Sequence, residues 1–268
     1  MIKLTKAASM ILLLAIAGCF HWDQEEGSFQ RTLPVTGPVE LDVFSGAGNI
    51  TVHAGSDSAV YISARIQAHD SWSSMRAEEK VRKLEANPPI VQRGNRIEIG
   101  RSGDRELLNN VAIHYDLTVP AQTRLTTMTG AGSQRISGLK LPVDARTGAG
   151  RVEADDVTGN MELHSGAGNI RFTDPKGTVY AESGAGSVTA EGEPKQDWQI
   201  HVGAGSIRVQ VPKKAAFTVY ASSGFGRVRI SPDLAVDGTV SHSSVQGRVG
   251  GGGPTLRLAS GAGSITVE

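Results

Sequence analysis

Residues 143–191 read VDARTGAGRVEADDVTGNMELHSGAGNIRFTDPKGTVYAESGAGSVTAE and contain the triplet Gly-Ala-Gly three times at a fixed spacing. The triplets start at Gly148, Gly166 and Gly184, eighteen residues apart. A constant period of this length indicates stacked structural units. Outside this stretch, the remaining copies start at Gly46, Gly130, Gly203 and Gly261, with degenerate copies at Gly224 and Val245.

Apolar residues recur at fixed positions around each triplet. The fifth residue before the triplet start is apolar in all nine copies: Leu41, Leu125, Val143, Met161, Val179, Trp198, Val219, Val240 and Leu256. The positions four and six residues after the start are also mostly apolar, with Gln134 as the main departure. Polar residues alternate with these positions, so each unit contains two short strands joined by a glycine corner.

The repeat predicts a mainly β, single-chain parallel β-solenoid, or β-helix. One unit buries about five aliphatic side chains at about 1.5–3 kcal/mol each, which does not offset backbone ordering of about 1–2 kcal/mol per residue. Stacking supplies the remainder, because each strand bonds to its equivalent in the next rung. Parallel crossovers favour right-handed winding. The alternative is an antiparallel sandwich or barrel of hairpins at similar spacing.

The N-terminus has the pattern of an export signal. Lys3 and Lys6 precede an apolar run from Ala7 to Ala17, which is too short to span a bilayer. The run leads into Cys19, the chain's single cysteine, in a setting that resembles the lipobox of bacterial lipoproteins. We therefore predict a lipoprotein signal peptide at residues 1–18, lipidation of Cys19 and a tether at residues 19–37. If the host has two membranes, the resemblance favours the outer one.

Residues 38–268 are predicted to form the solenoid domain. The period breaks between the first two triplets, and an α/β insertion is expected at about residues 54–124. It should contain a strand at residues 59–66, a helix at residues 71–86, a hairpin at residues 90–100 and a strand at residues 111–119 that ends at Pro120.

The chain resembles the putative-adhesin family of bacterial envelope proteins, whose core is a β-solenoid domain of unknown function. The resemblance is carried by the tract Ile113-His114-Tyr115-Asp116-Leu117-Thr118-Val119-Pro120, by Thr129-Gly130-Ala131-Gly132, and by serial Ser/Thr-Gly-x-Gly rungs to the C-terminus. It covers roughly residues 38–268. It implies a location at the cell surface or in the periplasm, a role in adhesion or envelope stress, and no catalytic residues to carry over.

Composition argues against several functions. The 27 basic side chains balance 27 acidic ones, so no overall charge attracts nucleic acid. The seven histidines show neither an HExxH arrangement nor clustered Cys/His spacing, so the sequence predicts no metal and no cofactor. The serines lack a GxSxG motif, and no helix follows the glycine triplets to bind phosphate.

Two groups of side chains remain as candidate sites. Asp144 and Glu162 share a column in adjacent rungs, at about the carboxyl separation that retaining glycosidases use. A predicted anion-binding patch on one outer face comprises Arg208, Arg227, Arg229 and Arg248. A plain solvated face is the alternative interpretation of both groups.

The sequence therefore predicts a non-catalytic, lipid-anchored envelope protein that presents a repetitive β-surface for adhesion. Its expected partners are the membrane, through Cys19, and an envelope glycan, polyanion or surface protein. The alternatives are an enzyme that processes envelope polysaccharide through Asp144 and Glu162, and an envelope-stress sensor or structural spacer. The last rung should leave a strand edge exposed, which allows homo-oligomerisation there.

Overall fold

The computed structural model describes residues 24–56, 58–70, 75–104 and 106–268. The predicted signal peptide and Cys19 lie outside the described residues. In chain order, the described elements are β1 (Gln24–Pro34), β2 (Val39–Ala47), β3 (Ile50–Ser56), β4 (Ala59–His69), α1 (Ala77–Ala86), β5 (Ile90–Arg93), β6 (Arg96–Ile99), β7 (Val111–Pro120), β8 (Thr123–Ala131), β9 (Gln134–Ser137), β10 (Val143–Ala149), β11 (Val152–Asp155), β12 (Met161–Ala167), β13 (Ile170–Thr173), β14 (Val179–Ala185), β15 (Val188–Glu191), β16 (Trp198–Ala204), β17 (Ile207–Gln210), β18 (Phe217–Phe225), β19 (Val228–Ile230), β20 (Val236–Val240), β21 (Ser244–Val249), β22 (Thr255–Ala262) and β23 (Ile265–Val267).

The strands form two sheets that share one core. The first sheet has the order β1-β4-β7-β3-β9-β11-β13-β15-β17-β23-β19, and the second has the order β20-β21-β18-β22-β16-β14-β12-β10-β8-β2-β6-β5. Each rung contributes one strand to each sheet, with the glycine triplet at the corner between them. The predicted parallel solenoid is confirmed, because β8 to β17 pair in parallel with their equivalents in neighbouring rungs.

The rungs stack in the register that the columns predict. Val143 pairs with Met161, and Val179 pairs with Trp198. These side chains are buried between the two sheets. Gln134 is the polar residue in an otherwise apolar column; it pairs in the same register as the other rungs and is buried. It accepts a hydrogen bond from Thr127 at 2.6 Å, and its amide donates to a backbone carbonyl at 2.6 Å, so its burial leaves no polar group unpaired.

The triplet glycines are required by the close approach of neighbouring corners. A β-carbon on Gly166 would lie 2.6 Å from the carbonyl oxygen of Gly148. A β-carbon on Gly168 would lie 1.9 Å from the carbonyl oxygen of Gly150, and the φ angle of Gly168 is +154°. The Ser or Thr before the triplet adds a bond between rungs, as when Ser165 donates to the Gly150 carbonyl at 3.1 Å.

The predicted tether is partly wrong, because residues 24–34 form the edge strand β1, which pairs antiparallel with β4. An edge strand bonds on one side only, and β1 fully buries only Phe29, so it carries no apolar periodicity. The predicted elements of the insertion are present and continue both sheets: β4 and β7 extend the first, and the antiparallel β5–β6 hairpin extends the second. The predicted helix is present as α1, which spans Ala77–Ala86 and packs on β1 and β4.

The last rungs depart from sequence order. Strand β22 lies between β16 and β18, and β23 lies between β17 and β19. The predicted open edge at the C-terminal rung is therefore wrong, and the outermost described strands at that end are β19 and β20. The degenerate copy at Val245 is not a rung, because β21 pairs antiparallel with β18 and β20. A valine cannot occupy the first triplet position of a corner that lies against another rung, where even a β-carbon clashes, as at Gly148 and Gly166.

A buried hydroxyl gives a direct test of the core. Tyr115 on β7 is 2% exposed, and its hydroxyl has no hydrogen-bond partner among the described residues. Burial raises the pKa of this hydroxyl. We expect Tyr115→Phe to raise the free energy of unfolding by about 1 kcal/mol, because it removes an unpaired buried polar group. Urea denaturation measures the change. Tyr61→Phe, at an exposed tyrosine, is the control, and a loss of stability in Tyr115→Phe alone would show that the hydroxyl is bonded.

Candidate ligand-binding face

The outer face of the second sheet carries two side-chain columns that run across the rungs. One column contains Thr126, Asp144, Glu162, Tyr180 and Gln199, which are aligned by parallel pairing. The neighbouring column contains Met128, Arg146, His164, Glu182 and His201. The columns arise because inward and outward residues alternate along each strand while the rungs stay in register.

A groove of about 800 Å³ lies on this face, at the starts of strands β8, β10, β12, β14 and β16. Its lining includes Asp144, Glu162, His164 and Tyr180 from the strands. Exposed residues just before the strands, such as Asn160, add polar groups to its rim. We call this feature the sheet groove.

Arg146 joins the two carboxylates that the sequence singled out. Its Nε lies 2.8 Å from Asp144 Oδ1, and its Nη2 lies 2.8 Å from Glu162 Oε1. A hydrogen bond from His164, and then the charge of Arg146, hold the pKa of Glu162 below its ordinary value. A general acid in a glycosidase needs the opposite shift, a raised pKa. This arrangement therefore favours a structural role for the pair over acid catalysis.

The lowered pKa of Glu162 predicts a pH dependence of stability. Because the pKa is lower in the folded state, the stabilisation is present above about pH 4.5 and is lost as the pH falls through the folded-state pKa. Since the side chain is 49% exposed, solvent screening keeps the effect below about 1 kcal/mol. We expect Glu162→Gln to reduce the loss of stability between about pH 5 and pH 3, measured by denaturant titration. Glu25→Gln, on β1, is the control, and equal slopes in the two variants would contradict the prediction.

Three rings lie together beside these carboxylates. The Tyr180 ring centroid is 5.4 Å from that of His164 and 5.9 Å from that of His201. The Tyr180 hydroxyl donates to Glu182 at 2.9 Å, which fixes the ring on the face. Tyrosine offers an apolar ring surface with a polar tip, a combination that is common at binding sites. The rings of Tyr180 and His164 line the sheet groove and give it an aromatic surface.

Comparison with known proteins places the chain in a family. The model of the family described as Toastrack DUF4097 matches residues 93–268, more than half of the chain. The chain belongs to the Toastrack DUF4097 family. The resemblance found in the sequence is thereby confirmed. The chain matches no curated protein at a significant level.

Several solved structures resemble this Toastrack DUF4097 member. A putative cell adhesion protein from Clostridium sporogenes has 15% identity, with 91% of this chain and 99% of that chain covered and a TM-score of 0.43. A putative adhesin from Bacteroides fragilis has 15% identity, coverages of 90% and 97%, and a TM-score of 0.45. A putative lipid binding protein from Parabacteroides distasonis has 18% identity, coverages of 90% and 96%, and a TM-score of 0.41. The family assignment rests on the family model.

The predicted arginine patch does not form one surface in this Toastrack DUF4097 chain. Arg208 and Arg229 lie on the first sheet, but Thr266 of β23 lies between them. Arg227 precedes β19, and Arg248 lies on β21 of the second sheet. The prediction assumed that rungs stack in sequence order, and the inserted C-terminal rung separates the side chains. Arg208 also faces Glu268, with 3.6 Å between Nε and Oε1.

Sequence reasoning missed Tyr180 as a site residue. It lies four residues before Gly184, so the column that identified Asp144 and Glu162 also contains it. Extending that column by one rung would have identified it. His164 and His201 both lie two residues before a triplet, and Glu182 of the intervening rung lies between them. That both histidine rings pack against the Tyr180 ring is visible only in the three-dimensional structure.

The described residues contain neither a metal-binding cluster nor a helix that could span a membrane. No group of three or more His, Cys, Asp and Glu side chains in that part of the chain is arranged to hold a metal ion. Likewise, none of the helical structure described has the length and apolar character to cross a membrane.

Proposed function

We propose that this protein is a non-catalytic module of the bacterial cell envelope that binds a macromolecular partner through the sheet groove. The observation that carries the proposal is the groove itself, a continuous polar and aromatic surface across five rungs. Stacked repeats present extended surfaces of this kind to large partners. Adhesion to a surface protein or an envelope glycan is the form of binding that the family resemblance favours.

Anchoring through Cys19 is part of the proposal. Lys3 and Lys6 followed by an apolar run support export, and the small residues before Cys19 support lipidation. The outer membrane is the favoured site if the host has two. A single acyl chain binds a membrane only marginally, so stable anchoring requires several chains on the terminus.

The anchor is tested by replacing its cysteine. We expect Cys19→Ser to move the protein from the membrane fraction to the soluble fraction and to abolish incorporation of labelled fatty acid. Ser9→Ala, within the predicted signal peptide, is the control and should leave both unchanged. Fatty-acid labelling that persists in Cys19→Ser would exclude this anchor.

Binding and catalysis are separated by incubating the full-length protein with envelope glycans and measuring both bound and released sugar. We expect binding that Tyr180→Ala weakens, with no released sugar. The competing function is hydrolysis of envelope polysaccharide by Asp144 and Glu162, which stand on adjacent strands. Released sugar that disappears in Asp144→Asn would establish the enzyme and contradict the proposal.

A further inference from the structure

We infer that the sheet groove takes a neutral or amine-bearing polysaccharide, which lies across the rungs with a sugar ring against Tyr180. This inference rests on the proposed function and names the ligand class for the same site. It depends on the groove's shape, the chemistry of its lining and the balance of its charges.

The shape suits a polymer. Strands β8, β10, β12, β14 and β16 lie side by side beneath the groove. At about 4.8 Å between neighbouring strands, the five span roughly 19 Å. That length accommodates several sugar units of an extended chain. Because the strands repeat, similar positions recur along the groove at a spacing close to the length of one sugar unit.

The lining suits sugar hydroxyl groups, which both donate and accept hydrogen bonds. Asn160 and Gln199 are exposed. Asn160 Oδ1 accepts from the Thr178 backbone N–H, so its amide N–H groups remain as donors, and Gln199 Nε2 is bonded to His201, so its Oε1 remains as an acceptor. Arg124 offers donors only. The carboxylates of Asp144 and Glu162 offer acceptors. The Tyr180 ring provides an apolar surface for the C–H face of a sugar ring.

The charges disfavour an anionic polymer. Three carboxylates line the groove, from Asp144, Glu162 and Asp197, against the guanidiniums of Arg124 in the lining and of Arg146 beside it, which leaves a net charge of −1. Arg146 bonds to both Asp144 and Glu162, so its charge is directed at these two carboxylates. Like charges in apposition repel a polyanion, whereas an amine on the ligand is attracted. The groove therefore selects against phosphorylated or uronate-rich glycans.

Hydrogen bonds hold the central side chains of the sheet groove in place before a ligand binds. The Arg146 bridge holds both carboxylates in place before a ligand arrives, and the bond from Tyr180 to Glu182 holds the ring. Side chains that are already ordered lose less conformational freedom on binding. The site is thus built to bind a sugar chain without rearranging its central side chains.

The test uses the full-length protein in detergent and titration calorimetry with three probes: an N-acetylglucosamine hexamer, a glucosamine hexamer and a galacturonate hexamer. We expect the first two to bind and the third to bind at least about tenfold more weakly. Tyr180→Ala should lower the affinity for the neutral hexamer about tenfold. The double variant Asp144→Asn, Glu162→Gln should weaken the glucosamine hexamer much more than the N-acetylglucosamine hexamer, because the new amides keep acceptor oxygens but lose the negative charge.

Tyr61→Ala is the matched control, because Tyr61 is an exposed tyrosine on β4 of the first sheet. Gln199→Ala provides a second groove variant, and circular dichroism verifies the folding of each. Tighter binding of the galacturonate hexamer, or equal effects of Tyr180→Ala and Tyr61→Ala, would overturn the inference. If no hexamer binds but Tyr180→Ala still reduces binding to envelope material, the ligand class is wrong and the binding face stands. If neither occurs, both proposals fail.

Discussion

Replacing Gly168 with alanine is expected to lower the free energy of unfolding by about 3 kcal/mol or more. The residue has a φ angle of +154°, which costs other residues about 1–3 kcal/mol. The new β-carbon would also lie 1.9 Å from the carbonyl oxygen of Gly150, so the corners of two rungs must separate. Overpacking of this kind adds about 1–3 kcal/mol. Urea denaturation followed by circular dichroism measures the loss.

A matched pair of glycines isolates the steric part of this effect. Gly166 and Gly46 both stand first in their triplets, and neither has a positive φ angle. A β-carbon on Gly166 would clash with the rung beside it, but one on Gly46 would meet no atom within 4 Å. Strand β6 pairs only with residues 40–43 of β2 and leaves that corner uncovered. We therefore expect Gly166→Ala to destabilise the protein strongly and Gly46→Ala to change stability by less than about 0.5 kcal/mol. Equal effects would show that corner contact between rungs is not the cause.

Truncation after Pro254 is expected to unfold the C-terminal part of the stack. It removes β22 and β23, which lie between the neighbouring rungs and bury Leu256, Leu258, Ile265 and Val267. Four buried aliphatic side chains contribute about 1.5–3 kcal/mol each. Their summed loss is comparable to the whole stability of a typical domain, about 5–15 kcal/mol. Strands β16 and β18 also lose the neighbour that joins them.

Hydrogen exchange distinguishes this result from that of a stack in sequence order. We expect amides throughout residues 217–249 to lose protection in the truncated chain, because β18 reaches the rest of the second sheet only through β22. Amides of β10 to β13 serve as an internal control, since a rung in a stacked array contacts only its neighbours. Unchanged protection in β18 would contradict the observed strand order.

The interior of the fold was predictable because its constraints are local and repeated. The columns containing Val143 and Val152 are apolar except at Gln134, because they fill a core between two sheets, and the triplet glycines lack a β-carbon where another rung lies against the corner. Both constraints recur along the stack and are therefore visible in one sequence. The helix and the β5–β6 hairpin were also predictable, because their periodicity and the Gly94-Asn95 turn are local signals.

The order of the last rungs was not predictable in this way. Every rung presents the same pairing edges, so the sequence does not specify whether β18 or β22 follows β16. The one available signal was the valine at position 245, which cannot serve as a triplet glycine. The wrong rung order also made the predicted arginine patch wrong, because that patch required Arg208 and Arg229 to be on neighbouring strands. The sheet groove was only partly foreseen, since exposed columns tolerate many residue types, and the column of Asp144 and Glu162 places Tyr180 on the same face but does not indicate its role.

The sheet groove exists because equivalent residues of neighbouring rungs lie side by side, and disulfide cross-linking measures this most directly. In a Cys19→Ser background, we predict that cysteines at Gln199 and Arg257 form an intramolecular disulfide, because these residues are paired on adjacent strands. Cysteines at Gln199 and Tyr220 should not, since Arg257 lies between them and two strand spacings, about 9.6 Å, exceed the reach of a disulfide. A disulfide between positions 199 and 220, with none between 199 and 257, would contradict the observed stacking and the surface built on it.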